Sequence, residues 1–95
     1  MAAESGGYEV ILSPSVRRSL SETLPASAAF AAFAFIDGPL GENPHRVGAA
    51  LKAPFEGYYR ARRGEYRIRY RIDEAHRRVF VVDVSHLRLR DAYRF

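Results

Sequence analysis

The chain contains no cysteine, which excludes a disulfide framework, a thiolate nucleophile and a cysteine-ligated metal. That absence fits a reducing compartment, so a cytoplasmic location is the expectation. Lysine is scarce as well, with Lys52 the single example. No apolar run approaches the roughly 18 residues that a membrane span needs, so no membrane partner is expected. The start, Met1-Ala2-Ala3-Glu4-Ser5-Gly6-Gly7, lacks the basic and apolar regions of a secretory signal and reads as a flexible leader over 1–7. His45, His76 and His86 fall in different segments without metal-ligand spacing, so neither a metal nor a cofactor is expected. The glycines form no phosphate-cradling fingerprint, and the serines gather in the first helical segment without a triad.

What the chain does contain is arginine, unevenly placed. With 95 residues it makes one small domain, read as residues 8–95. Up to Tyr59 there are four basic and six acidic residues. From Arg60 onward there are eleven arginines against five acids, so a net −2 is followed by +6. Arginine binds phosphate with a planar, two-pronged fork and stacks on bases, which lysine does less well. A polyanionic partner, nucleic acid above all, is one reading. The other is solvated surface in a chain whose codons favour arginine.

The order of elements is legible from patterning. Tyr8-Glu9-Val10-Ile11-Leu12 reads as a strand. Ser13-Pro14 supplies an N-cap followed by proline at the first helical position, and Val16, Leu20 and Leu24 then fall on one helical stripe. Pro25 ends this helix and opens a second. There Phe30, Phe33, Ala34 and Ile36 are expected to form the apolar face, with Asp37-Gly38-Pro39 as the stop. Gly38 to Pro54 reads as a loop with at most a helical turn. Strands follow from Tyr58, with Val79-Phe80-Val81-Val82-Asp83-Val84 as a buried central one. The tail from Ser85 reads as a short final strand or a loop on the sheet. The fold class predicted is α+β, an N-terminal strand and an antiparallel helical hairpin packed on a mostly antiparallel sheet of about four strands.

The stretch "YYRARRGEYRIRYRID", Tyr58 to Asp73, concentrates the charge. A two-residue turn at Arg63-Gly64, glycine second, would set Arg62 opposite Glu65, Arg60 opposite Arg67 and Tyr58 opposite Arg69. Alternation then puts Tyr59, Ala61, Tyr66, Ile68 and Tyr70 on the helix side. Arg60, Arg62, Glu65, Arg67, Arg69 and Arg71 share the other side, with Glu65 as the only carboxylate near enough to offset them. Opposed like charges destabilise a strand pair by up to roughly 1 kcal/mol. The face looks built for an external anion.

These residues carry a resemblance. "GPLGENPHRVG…LK…YYRARRGEYRIRYRID", a valine-rich strand and "RDAYR" resemble the RelE/ParE superfamily of bacterial toxins, nearest the RelE-type mRNA endonucleases. The resemblance covers nearly everything from Tyr8 onward. It implies a RelE-like fold and a toxin of a type II toxin–antitoxin system that enters the ribosomal A site and cuts mRNA. The ribose 2′-oxygen attacks the adjacent phosphate, leaving a 2′,3′-cyclic phosphate and a 5′-hydroxyl. It implies as partners a cognate antitoxin, in a hetero-oligomer, together with the ribosome and mRNA. Basic catalytic groups of the family fall on Arg60, Arg62 and Arg67, a basic group at the end of the last long strand on His86, and a terminal aromatic on Tyr93. Either Arg88 or Arg90 takes the place of an arginine that relatives carry before the Asp…Tyr ending.

In chemical terms, Arg67 would stabilise the phosphorane, with Arg60 or Arg62 orienting the phosphate. Imidazole titrates near neutrality, so His86 is the expected acid or base. Tyr93 would stack on a displaced base or orient the 2′-oxygen. Arg46, Lys52, Arg69 and Arg90 are further RNA-contact candidates. The alternative within the same fold is a ParE-like gyrase poison that cuts no RNA. A basic nucleic-acid-binding module without catalysis is the third possibility.

Overall fold

A computed structural model of the protein describes residues 7–86. The leader expected over 1–7 lies outside this range except for Gly7, and so do Arg88, Arg90 and Tyr93. Strand β1 (Glu9–Leu12) leads into helix α1 (Pro14–Arg18), which widens into π geometry over Ser19–Thr23. The Ser13 hydroxyl caps α1 by accepting the Val16 amide at 3.2 Å. Helix α2 (Ala26–Phe35) starts after Pro25. It does not stop at Asp37-Gly38-Pro39 but runs through them as a π-helical turn, Ile36–Leu40. The wider turn tolerates the missing amide of Pro39, and it buries Ile36 and Leu40.

Among the described residues, four further strands follow. Strand β2 (Ala49–Ala50) is only two residues long, followed by β3 (Tyr58–Arg63), β4 (Tyr66–Asp73) and β5 (Arg78–His86). Among the described residues the sheet has five strands, in the order β1-β5-β4-β3-β2. All neighbours are antiparallel except β1 and β5, which run parallel. The expected α+β architecture is thus present, with β2 added inside a region that had read as loop.

The core lies between one sheet face and the helices. Ala61, Tyr66, Ile68, Tyr70, Val79, Val81 and Val84 meet Val16, Ala32, Phe35, Ile36 and Leu40. Each fully buried large aliphatic side chain stabilises the fold by about 1.5–3 kcal/mol. The inward side of α2 differs from the expected one. Ala28, Ala32, Phe35 and Ile36 are buried, whereas Phe30 is 77% and Phe33 52% exposed. Spacing of four, three and one makes the buried set a single helical stripe. Because α2 is apolar nearly all round, period alone could not select its inner face. Packing did, through the small Ala28 and Ala32, and the Tyr66 hydroxyl reaches the Ala31 carbonyl at 3.1 Å.

Candidate anion site on the arginine face

The β3–β4 turn decides which arginines meet. Gly64 has φ +57° and occupies the first central position, with Glu65 second. Glycine takes this conformation without a Cβ penalty, as a II′-like hairpin turn requires. The turn is therefore one residue later than Arg63-Gly64, and the pairing moves by two. Arg60 lies opposite Arg69, Arg62 opposite Arg67 and Tyr58 opposite Arg71. A shift of two preserves alternation, so the expected face assignment survives the corrected register. Like charges now oppose one another twice.

Arg60, Arg67 and Arg69 line one recess of about 310 Å³, together with Asp83, Ser85, Leu51 and Phe55. That volume is near the lower end for ligand clefts, roughly 300–1,000 Å³. Asp83 stands opposite Arg69, and Ser85 opposite Arg67, because β5 pairs with β4 in that register. The Arg69–Asp83 contact is long, 3.5 Å, with both side chains about two-fifths exposed. No carboxylate pairs with Arg60 or Arg62 among the described residues. Both are exposed, whereas Arg67 is half-buried.

Two arginines of the cluster belong to packing instead. Arg63 lies over the Phe35 ring at 4.8 Å and donates to the Val47 carbonyl at 3.0 Å. Arg71 lies over Phe80 at 4.5 Å, its cross-strand partner. Lys52 is exposed beside Leu51, at the margin of the recess. Arg46 is also exposed but follows His45, whose ring packs edge-on against Tyr8 and Tyr59 away from the recess.

His86 requires a correction. It pairs across the sheet with Tyr66, so it points to the helix side, opposite the face of Arg60 and Arg67. It is 6% exposed, and its Nε2 donates to the Glu65 carboxylate at 3.1 Å. Glu65 correspondingly sits in the turn beside His86 rather than opposite Arg62. The cause is a bulge: Arg69 pairs with Asp83 but Tyr70 with Val81, leaving Val82 as an extra residue. The phase of β5 reverses there, turning Asp83 and Ser85 toward the arginines. Sequence reasoning passed over both, although a carboxylate interrupting a valine run was the available signal. Leu51, in the segment expected as loop, and Phe55, just after it, had no such marker.

A second polar cluster stands on the opposite side. The Tyr8 hydroxyl donates to both oxygens of Glu74, at 2.9 and 3.0 Å, and His45 Nε2 donates to the same carboxylate at 2.8 Å. These bonds hold Glu74 below its ordinary carboxylate pKa, that from His45 most of all and that from Tyr8 next. Beneath them Tyr59 stacks on Tyr70, whose buried hydroxyl donates to the Pro44 carbonyl at 2.6 Å. Burial pushes the Tyr70 phenol up to about 12. Among the described residues, no three acidic or histidine side chains converge as a metal site. None of their helices is long and apolar enough to cross a membrane.

Known proteins share this architecture and much of this sequence. Residues 10–88 match the family described as the ParE toxin of the type II toxin–antitoxin system parDE. The chain is 41% identical over 78 residues to Toxin RelE of Mycobacterium tuberculosis, covering 82% of this chain and 79% of that one. It is 41% identical over 80 residues to Toxin RelG of the same organism, covering 83% and 90%. Among solved structures, a chain of the M. tuberculosis toxin–antitoxin complex RelBE2 superposes with a TM-score of 0.80 at 39% identity, covering 84% of this chain and 98% of that chain. A chain of the archaeal RelE–RelB complex of Pyrococcus horikoshii shares the fold, with a TM-score of 0.67 at 21% identity, covering 85% and 96%. The chain belongs to the RelE/ParE toxin superfamily, as a RelE-type toxin.

Proposed function

We propose that this toxin is a metal-independent, ribosome-dependent endoribonuclease whose arginine face grips the mRNA backbone in the A site. The observation that carries the reading is the convergence of Arg60, Arg67 and Arg69 on one recess. In-line attack by the ribose 2′-oxygen builds negative charge on the phosphorane oxygens. Fixed guanidinium groups in a partly dried recess stabilise that charge, commonly the largest single contribution to such catalysis. Arg67, half-buried, is the phosphorane-stabilising group, with Arg60 and Arg62 orienting the phosphates on either side. The ribosome contributes alignment of the strand. Arg88, Arg90 and Tyr93 complete the reading as groups that approach the same RNA. Relatives crystallised as RelBE2 and RelE–RelB complexes support a cognate antitoxin as the partner that holds the toxin inactive.

The test is a translating extract given purified toxin, with mRNA ends mapped by primer extension. Codon-phased cuts are expected from the wild type. Arg67→Ala is expected to slow cleavage by about 10²–10³-fold, the usual effect of losing one transition-state donor. The ParE description of the matched family favours one competitor, a gyrase poison. Intact mRNA together with stalled gyrase–DNA complexes would establish that competitor instead.

A further inference from the structure

The mechanism just proposed has cations but no proton acceptor, since guanidinium is too weak an acid to serve as a base near neutrality. His86 faces the other side of the sheet. We propose that Asp83 is the general base of this toxin, taking the proton from the attacking ribose 2′-hydroxyl; this rests on the endoribonuclease reading.

Three observations carry the assignment. Asp83 is the only carboxylate that lines the arginine recess among the described residues. Its single ion pair among the described residues, to Arg69 at 3.5 Å, is too long and too exposed for a tightly committed counter-ion. Its oxygens therefore keep lone pairs for a ligand held by Arg60 and Arg67. Beside it, the Ser85 hydroxyl is a buried side-chain oxygen with no hydrogen-bond partner among the described residues. A buried hydroxyl left unpaired is costly, which suits a group that completes its bonding on a bound sugar. The β5 bulge turns both residues into the recess.

The step balances as follows. The 2′-hydroxyl gives its proton to the Asp83 carboxylate while the 2′-oxygen bonds to phosphorus. The bond from phosphorus to the 5′-oxygen breaks, and its electron pair leaves on that oxygen. Water protonates the 5′-oxygen, and Asp83 returns its proton to the hydroxide so formed. A 2′,3′-cyclic phosphate and a 5′-hydroxyl result, with the enzyme restored.

Single-turnover cleavage on programmed ribosomes, followed across pH, tests this. Asp83→Asn keeps the shape and removes the basic oxygen. It is expected to slow cleavage by about 10²–10⁴-fold, the span of general acid–base contributions, with ribosome binding retained. The wild-type rate should rise with pH, and that rise should be missing from Asp83→Asn. Asp83→Glu, which keeps the carboxylate, should recover part of the rate. Cleavage by Asp83→Asn within a few-fold of wild type overturns the proposal. So does a slow variant with an unchanged pH profile, because Asp83 would then only position Arg69. Should Asp83→Asn unfold, Asp83→Glu decides alone: a folded Glu variant that gains nothing over Asp83→Ala overturns the assignment. Wild-type toxin that leaves mRNA whole would refute the nuclease reading itself, a different failure.

Discussion

Gly48 sits at the point where the loop before the hairpin touches both the core and the site. A Cβ there would run into the Tyr70 hydroxyl and lie 2.9 Å from the Arg60 carbonyl oxygen. Tyr70 cannot yield, being fully buried with its hydroxyl bonded to the Pro44 carbonyl. Its raised pKa keeps it a neutral donor at physiological pH. Gly48→Ala should therefore cost about 1–3 kcal/mol through overpacking. In a domain of this size that lowers Tm by about 4–8 °C per kcal/mol, read by thermal unfolding. An unchanged Tm would show that the loop has room to move. His86 illustrates the same scale differently. Its imidazole looked like an acid or base, but burial at 6% and the contact with Glu65 tie it to the hairpin turn.

Among the elements, the β3–β4 hairpin and β5 together make the recess. The arginine side of the hairpin was legible because strand alternation is insensitive to a two-residue slip. The partners were not legible, because glycine with positive φ fits either central position of a two-residue turn and only the folded pairing of Arg63 with Tyr66 separates them. On β5, strict alternation from Val79 and Val81 would have sent Asp83 inward and His86 outward to the arginine face. The bulge at Val82 inverts this, and its local trace is the carboxylate that interrupts the valine run. At the far end of the sheet, Tyr8, His45 and Glu74 pin β1 and the 43–47 turn to the β4–β5 turn. The Glu74 pKa is depressed in the folded chain, so the unfolded chain binds its proton first as pH falls. This contribution to stability is complete above the ordinary value of 4.5 and is lost as pH falls below it. Glu74→Gln should flatten the fall in Tm on acidification through that range. An acid titration of Tm identical to wild type would show that the cluster adds nothing.

For the whole molecule, charge is the governing quantity. Net charge is +4, carried by the second part of the chain, and Arg60, Arg67 and Arg69 bring part of it to one recess. Binding of single-stranded RNA by the isolated toxin should weaken steeply with salt, because each neutralised phosphate releases counter-ions. Arg60→Ala should flatten the log–log salt slope by about 0.7, the increment for one phosphate contact on a single strand. Arg63→Ala should leave the slope alone and lower Tm, since that guanidinium packs on Phe35. Equal slopes for wild type and Arg60→Ala would place the RNA elsewhere.

Composition and two-residue periodicity, which are properties of the chain in order, were enough to indicate an α+β domain, a basic second half and arginines sharing one strand face. Long-range pairing is not written locally. Which side of α2 packs inward, where the hairpin turns, and whether His86 or Asp83 joins the arginines all depend on contacts between distant segments. The bulge in β5 matters most, because one extra residue exchanges an imidazole for a carboxylate at the site without altering a single letter of the sequence.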